Sequence, residues 1–353
     1  MESLQESRFD FFRGDVMKNK KLRNFFILGC CSVVAVVAVG LLINFEIIDA
    51  YTAQILTLAG INAIMALSVN IICGITGQLS LGQAGFMAIG AYSSVLIANA
   101  GIPLPLSIVL AGLVTAFFGF LIGFPTLKLE GDYLAIVTLG FGEIIRVVFV
   151  NLKKWTGGPN GKQFPTIMTL NPAVAYIVII GVLVVLVILI QNFIRSTYGR
   201  AILAVRDDEI AANSSGIGIF RYKMIGFVIA SFVAGIGGAL YAPFIGFIKP
   251  DMASFNKSID YLIFVVLGGM GSTTGAILAS FVLTSLQEFL RFLQNYRLLF
   301  YPVILMLVMQ FRPQGLLGTK EFSFIKTWDG IPGLKAKMKS FLGKKSVKQG
   351  GAE

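Results

Sequence analysis

Residues 174–194 read VAYIVIIGVLVVLVILIQNFI, a mostly apolar run without a charged side chain. About 20 such residues in a helix are enough to cross the hydrocarbon core of a bilayer, which is about 30 Å thick. Because backbone amides find no water inside that core, a lone segment is stable there only as a helix, which pairs its own amides. The segment therefore predicts a membrane-spanning helix.

The remainder of the chain repeats this pattern. Hydrophobic residues make up 56% of the 353 positions and charged residues only 13%, whereas soluble domains carry about 25% charged residues. The mean hydropathy is +0.81. This composition predicts an all-α integral membrane protein with about ten transmembrane helices. The candidate spans are 25–43, 51–73, 84–102, 105–124, 133–150, 174–194, 223–247, 259–270, 275–290 and 298–311.

Positive charge indicates the orientation of these spans. Six Lys and Arg residues lie in 1–24, five in 195–223 and nine in 312–353. Loops rich in Lys and Arg stay in the cytoplasm, so both termini are expected there. The basic tails are interpreted as topology signals that also contact anionic lipid, and not as nucleic-acid-binding segments.

The short apolar pieces 259–270 and 275–290 decide the number of crossings. Two separate crossings return the basic tail to the cytoplasm, whereas one helix through 259–290 would leave it outside. Two re-entrant segments are also compatible with their length, since 12 residues are few for a span. The expected organisation is a cytoplasmic tail (1–24), a transmembrane domain (25–311) and a basic cytoplasmic tail (312–353).

Two glycine-rich stretches interrupt the apolar sequence. They are GITGQLSLGQAG at 74–85 and GGMGSTTG at 268–275. Non-helical backbone at membrane depth persists only where it is buried in protein or lines a wet cavity, so such breaks are candidates for a translocation path. Alternatively, the glycines only allow close helix packing or tight cytoplasmic turns. The candidate path residues of the first break are Gly77, Gln78, Ser80 and Gln83.

Charged residues inside the candidate spans are few. Glu143 and Arg146 lie three positions apart and therefore share one helix face. A lone charge at a helix centre costs about 2.5–3.5 kcal/mol on insertion scales, and opposite charges one turn apart offset part of that cost. The pair is expected to face the bundle interior, either as part of the translocation path or as a structural clamp.

Enzymatic chemistry is not expected. The chain has no histidine, which removes the commonest general base and metal ligand, and no spacing typical of a metal or cofactor site is present. The segment Thr156–Gln163 superficially resembles a phosphate-binding loop, but Thr156 and Gln163 occupy positions that this motif reserves for Gly and for Ser or Thr. The chain is not expected to hydrolyse ATP.

The loop 195–222 between two spans has an ordered pattern. An amphipathic helix is predicted over 200–213, with Gly216 to end it and an acidic triplet, Asp207–Glu209, near one turn. Its apolar residues Ile202, Val205 and Ile210 are expected to lie in a groove of a partner. A helix resting on lipid would instead favour Lys and Arg over an acidic triplet.

Several stretches together resemble one family, the M-type permease subunits of bacterial branched-chain amino-acid ABC importers. The matching stretches, which extend over about 70–320, are Gly74–Gly85, Leu134–Arg146, Gly157–Gly161, Gly199–Gly216, Gly235–Tyr241 and Arg312–Gly318. The resemblance implies a type II-like permease fold in the bacterial inner membrane and transport of leucine, isoleucine and valine. It also implies four partners, namely a second permease, two cytoplasmic ATPases and an external substrate-binding protein.

The resemblance further implies that the loop 195–222 docks into an ATPase. Its candidate coupling residues are Arg206, Asp207, Asp208, Glu209, Ala211, Ala212 and Gly216. The spacing from Glu209 to Gly216 is one residue longer than the form common in the family. Two alternatives remain open, because family members also carry urea or short amides, and because an ion-coupled secondary transporter would need a mid-membrane carboxylate, for which only Glu143 qualifies.

Overall fold

The computed structural model describes residues 36, 38–45, 49–129, 131–164, 171–292, 297–311 and 315. The predicted tails 1–24 and 312–353 lie outside these residues except for Gly315, as does most of the first predicted span, of which 38–43 are helical. Six helices within the described ranges are long and apolar enough to cross a membrane. They are Ala50–Ile75, Leu104–Thr126, Asp132–Asn151, Pro172–Arg195, Ile219–Ile245 and Thr273–Phe292.

The helices follow the order of the apolar runs. They are α1 Ala50–Val69, α2 Gln83–Asn99, α3 Leu104–Thr126, α4 Asp132–Asn151, α5 Lys153–Thr156, α6 Pro172–Arg195, α7 Thr197–Asp207, α8 Glu209–Ser214, α9 Ile219–Ile245, α10 Phe255–Gly268, α11 Thr273–Phe289 and α12 Arg297–Phe311. Helix α1 continues as a π-helix, Asn70–Ile75. Two short strands, β1 Lys162–Gln163 and β2 Phe247–Ile248, pair antiparallel with Lys162 opposite Ile248.

The two short apolar pieces form two separate helices, α10 and α11. Between them the backbone turns at Gly269 and Gly271, whose φ angles are +106° and +89°. Residues that carry a side chain rarely adopt such backbone angles, whereas glycine does so at little cost. A single helix through 259–290 is therefore not formed.

Helix α9 lies at the centre of the bundle, where it packs against α1, α2 and α3. Glycines bring its backbone close to its neighbours: a Cβ atom on Gly238 would overlap the backbone of Met87, and one on Gly90 would overlap that of Gly235. Without a hydrophobic force between helices in lipid, such close van der Waals contact is a main source of helix association. The glycines of α9 therefore serve close helix packing, a role that the sequence analysis considered only for the two glycine-rich stretches.

The irregular segments gather at two opposite sides of the bundle. At one side the first break, the second break and α7 contact each other. At the other side lie β1 and β2, a hydrogen bond from Phe164 N to Gly246 O of 3.0 Å and a hydrogen bond between Tyr51 and Glu288. Successive long helices run from one side to the other, as a bundle that crosses a bilayer requires.

Candidate functional site

The two glycine-rich breaks lie against each other. Asn70, in the π-helical end of α1, accepts a hydrogen bond through Oδ1 from the backbone N of Gly271 at 2.9 Å. A Cβ atom on Gly74 would overlap both that oxygen and Gly271 N, so the approach depends on glycine. The sequence predicted the two breaks separately, and the structure unites them into one junction.

Arg206 of α7 closes this junction. Its Nη1 donates to the carbonyl oxygen of Gly74 at 2.9 Å, and its Nη2 pairs with Asp207 at 2.8 Å. The aliphatic part of the side chain passes over Gly77, where φ is +70° and an added Cβ would lie 2.7 Å from Arg206 Cγ. The predicted coupling segment thus contacts the predicted path segment directly.

Most of the irregular segment after the junction is packed against protein, as membrane physics demands of unpaired backbone, although Gly77 and Leu79 within it are exposed. Leu81 N donates to Thr138 Oγ1 of α4 at 3.1 Å, and Ala84 N donates to Ser258 Oγ of α10 at 3.3 Å. Ser80 is buried, and a Cβ on Gly82 would lie 2.8 Å from the Thr138 carbonyl oxygen. Helices α4 and α10 therefore hold the segment on two sides.

Two glutamines of this segment are almost fully buried. Gln83 accepts a hydrogen bond through Oε1 from Ser68 Oγ at 2.9 Å. Gln78 is 4% exposed, and neither atom of its side-chain amide has a hydrogen-bond partner among the described residues. An unpaired buried amide costs about 1–3 kcal/mol, so Gln78 is suited to bind water or a polar ligand.

The predicted helix over 200–213 is in fact two helices, α7 and α8. Asp208 lies between them with extended backbone and accepts hydrogen bonds through Oδ1 from Ile210 N at 2.9 Å and Ala211 N at 3.0 Å. This is the contact of a helix N-cap, and Asp is among the preferred residues there. Gly216, with φ of +80°, lies just beyond α8 as predicted.

The apolar residues of α7 and α8 differ in their exposure, contrary to the prediction that they share one exposed face. Ile202 and Val205 are each 1% exposed and lie within the protein itself, so the expectation that they fill a partner's groove is wrong. The reason is that α7 packs along α9 and buries this face. Ile210 is 82% exposed, which leaves it available to a partner. Ala212 is buried and Ala211 is exposed.

Glu209 forms an ion pair that the sequence did not predict. Its Oε1 lies 2.6 Å from Nζ of Lys223, whose side chain on α9 is only 12% exposed. Partial burial makes this pair stronger than a surface pair. The pair fixes the beginning of α8 to α9, because Glu209 is the first residue of α8.

Glu143 and Arg146 pair as their spacing predicts, with Arg146 Nε 2.7 Å from Glu143 Oε2. Glu143 Oε1 also accepts a hydrogen bond from Phe255 N, the first amide of α10, at 3.2 Å. Arg146 Nη1 lies 3.8 Å from Asp251 Oδ1. A carboxylate at a helix N-terminus is stabilised by the free amides and the helix dipole, so the geometry is that of a clamp between α4 and the beginning of α10.

A cavity of about 670 Å³ lies beside the junction. Its wall consists of the first break, the beginning of α4, helix α8 and the beginning of α9. The lining residues are Gly77, Gln78, Leu79, Leu129, Gly131, Asp132, Leu134, Glu209, Ile210, Asn213, Ile219 and Lys223. The cavity thus brings predicted path residues and predicted coupling residues together. Within the described part of the chain, no group of three His, Cys, Asp or Glu side chains is placed to hold a metal ion.

Sequence reasoning missed Asn70, Thr138 and Lys223. Asn70 left a signal, since a polar amide inside an otherwise apolar run is costly in a membrane and usually pairs within the bundle. No feature of the sequence distinguishes Lys223 from the basic residues that set the topology, because its role depends on the packing of α8 against α9.

Comparison with known proteins gives consistent matches. The family model described as branched-chain amino acid transport system / permease component matches residues 51–309. The high-affinity branched-chain amino acid transport system permease protein LivM of Escherichia coli (strain K12) is 39% identical over 296 residues, covering 75% of this chain and 70% of that protein. LivH of the same organism is 26% identical over 75% of this chain and 94% of that protein. The autoinducer 2 import system permease protein LsrC of Enterobacter sp. (strain 638) is 26% identical over 78% and 80% respectively. No solved structure gives a significant match.

Proposed function

Since the chain belongs to the family of branched-chain amino acid transport system permease components, we propose that it is one permease subunit of an ATP-driven importer of leucine, isoleucine and valine. The observation that carries the proposal is the 39% identity to a protein of that named activity over 296 residues. The contact of the coupling loop with the glycine junction supports it, because movement of α7 and α8 would act directly on the buried segment.

We further propose that the chain crosses a bacterial inner membrane ten times with both termini in the cytoplasm. The alternation of helix ends between the two sides of the bundle supports this arrangement, in which the junction and the coupling loop face the cytoplasm. The tails 1–24 and 312–353 are then cytoplasmic and contact anionic lipid.

Cysteine labelling tests the orientation. In a variant without Cys30, Cys31 and Cys73, a single cysteine at exposed Asn160 is expected to react with a membrane-impermeant thiol reagent in intact cells. A single cysteine at exposed Asn213 is expected to react only after the membrane is opened. Labelling of the Asn213 cysteine in intact cells, with the Asn160 cysteine protected, would contradict the proposed orientation.

The partners we propose are a second permease, two cytoplasmic ATPases and an external substrate-binding protein. The similarity of this chain to both LivM and LivH supports pairing of two related permeases. Helix α4 supports the same conclusion. Only 22% of its 18 most apolar consecutive residues are buried within the chain, although the helix carries the charged residues Glu143 and Arg146. Because a charged pair facing lipid is costly, the second permease is the surface that we expect beside α4.

The proposed mechanism is alternating access driven by the ATPases. Closure of the ATPases displaces α8, which is tied to α9 by Glu209, and α7, which is tied to the junction by Arg206. The movement opens a path along the segment of Gly77, Gln78, Ser80 and Gln83 into which the binding protein releases substrate. Specificity resides mainly in the binding protein, consistent with the few polar residues of the described spans.

The charged pair of α4 is proposed to act as a clamp beside this path. Replacing Glu143 with glutamine weakens two contacts, the pair with Arg146 and the bond from Phe255 N. We expect a loss of about 1 kcal/mol, since the side chains are about one third exposed, which corresponds to about 2–4 °C in the apparent Tm. Leucine uptake per folded molecule is expected to stay within about twofold of the unmodified protein, because that is less than 0.5 kcal/mol in the barrier.

Thermal denaturation and uptake are measured on the same preparations, with Asp260→Asn as the matched control. Asp260 is a half-buried helical acid whose pair with Lys257 is longer, 3.9 Å. A Glu143→Gln variant with unchanged Tm and strongly reduced uptake would place the residue in the path instead.

The proposed function is tested by uptake of labelled leucine into cells that lack other leucine importers, with and without this chain. Loss of uptake without the chain, and competition by unlabelled valine but not by urea, is expected. Unchanged leucine uptake would remove the branched-chain assignment, and uptake of urea or a short amide would then be measured. Uptake that persists after ATP depletion would favour an ion-coupled transporter.

A further inference from the structure

The 670 Å³ cavity beside α8 is of a size suited to a small ligand. Sites for small molecules occupy about 300–1,000 Å³ and combine apolar walls with a few polar groups. The apolar part of this cavity comes from Leu79, Leu129, Leu134, Ile210 and Ile219. A branched aliphatic side chain would lose water against these residues.

The polar part of the cavity has groups of both signs. Asp132 and Glu209 contribute carboxylates, and Lys223 contributes an ammonium group whose side chain is only 12% exposed. Asp132 also begins α4, a helix of 20 residues whose first amides receive no side-chain cap. Free amides at a helix N-terminus bind carboxylates and other anions.

Gln78 provides an independent sign of a ligand. It lines the cavity, it is 4% exposed, and its amide is without a partner among the described residues although it has both donors and an acceptor. Buried amides in proteins are nearly always paired with protein or with bound molecules. A polar ligand or water in the cavity would satisfy it.

We propose that this cavity binds a zwitterionic aliphatic amino acid from the cytoplasmic side. The ammonium group of the ligand lies between the carboxylates of Asp132 and Glu209, and its carboxylate group faces Lys223 and the first amides of α4. The aliphatic side chain contacts Leu79, Leu129, Leu134 and Ile219. The inference rests on the proposed function for its choice of ligand and on the proposed orientation for the side from which the ligand enters.

Occupation of the site has a consequence for transport. The ligand competes with Lys223 for the Glu209 carboxylate, the contact that positions α8 on α9. Because α8 carries the exposed Ile210 that we expect to meet an ATPase, the accumulated product would loosen the coupling helix and slow further import. The cavity thereby links the cytoplasmic amino-acid concentration to the rate of uptake.

The test uses the complete importer, with both permeases and both ATPases, in lipid nanodiscs without the binding protein. Equilibrium binding of labelled L-leucine is expected to be saturable. Leucinamide, which lacks the carboxylate, and 4-methylpentanoate, which lacks the ammonium group, are expected to compete at least about tenfold more weakly, since each loses contacts with charged groups.

Two variants address the cavity itself. Leu129→Trp fills it from an exposed position, and Asp132→Asn removes a charge without changing shape. Each is expected to weaken leucine binding about tenfold, whereas Leu106→Trp, at an exposed position at the other side of the bundle, is expected to bind as the unmodified importer does. In proteoliposomes supplied with the binding protein, internal leucine is expected to slow uptake by the unmodified importer but not by the two cavity variants.

The outcomes separate this inference from the proposed function. An importer that takes up leucine but binds it equally well in all variants, or shows no saturable binding, overturns the inference and leaves the function intact. A preparation that neither transports nor binds L-leucine overturns both.

Discussion

Leucine uptake is expected to be abolished when Glu209 is replaced by lysine, while the chain still inserts in the membrane. The substitution places two cations at the position of a 2.6 Å ion pair, and Lys223 cannot turn to water easily because its side chain is only 12% exposed. Lysine is also unfavourable in the first turn of α8, where the helix dipole favours negative charge. Both effects detach α8 from α9, so ATPase movement no longer reaches the permease core.

The measurement is initial uptake of labelled leucine, normalised to the amount of chain in purified membranes. We expect less than about a hundredth of normal uptake, since loss of coupling removes the transport step itself and not merely a fraction of binding energy. Asp49→Lys, the same change of charge at an exposed position at the opposite side of the bundle, is expected to transport normally. Normal uptake by Glu209→Lys would remove the coupling assignment.

A double exchange, Glu209→Lys with Lys223→Glu, shows which contact of Glu209 matters. The exchange restores an ion pair between α8 and α9, so a measurable part of uptake is expected to return if positioning of α8 is the main role. The coupling energy between the two positions follows from the double-mutant cycle. If the losses of uptake caused by Glu209→Lys and by Lys223→Glu are fully additive in the double exchange, Glu209 acts through the ATPase alone.

The sequence was sufficient for the elements that depend on local composition. Apolar runs located the long helices, the glycine-rich stretches located both breaks, and the spacing of Glu143 and Arg146 located an ion pair on one helix face. Each of these features is decided by residues within one or two turns of each other. In lipid such local signals are strong, because backbone groups must be paired within the segment.

The sequence was insufficient where the decisive contact joins distant segments. Asn70 reaches Gly271 and Arg206 reaches Gly74, although 201 and 132 positions separate the partners. Ile202 and Val205 have the pattern of an exposed apolar face, and only the packing of α7 on α9 decides that this face is internal. Asp208 is different, because an Asp before a short acidic turn is a recognisable N-cap that divides the predicted helix.

Replacing Gly238 with valine is expected to prevent stable folding of the chain. An added Cβ would overlap the carbonyl oxygen of Met87 and lie 2.8 Å from its carbonyl carbon and 2.9 Å from Ala91 N, all backbone atoms of α2. Backbone cannot move aside as a side chain can, so α9 and α2 must separate along the centre of the bundle. Overpacking costs about 1–3 kcal/mol even where side chains can adjust, and here the neighbouring contact of Gly90 with Gly235 is lost as well.

Gly181→Val is the matched control, because Gly181 lies within the long helix α6 and an added Cβ there meets nothing within 4 Å. The two variants share the same change in helix propensity, which is below about 1 kcal/mol, and differ only in the approach of a second helix. Size-exclusion chromatography of detergent extracts and the apparent Tm are expected to show a normal folded peak for Gly181→Val and little or none for Gly238→Val. Since native proteins are stable by only about 5–15 kcal/mol, the loss of the central α9–α2 contact is large enough to remove most folded protein. Equal folding of both variants would mean that lipid and the remaining helices hold the bundle together without this contact.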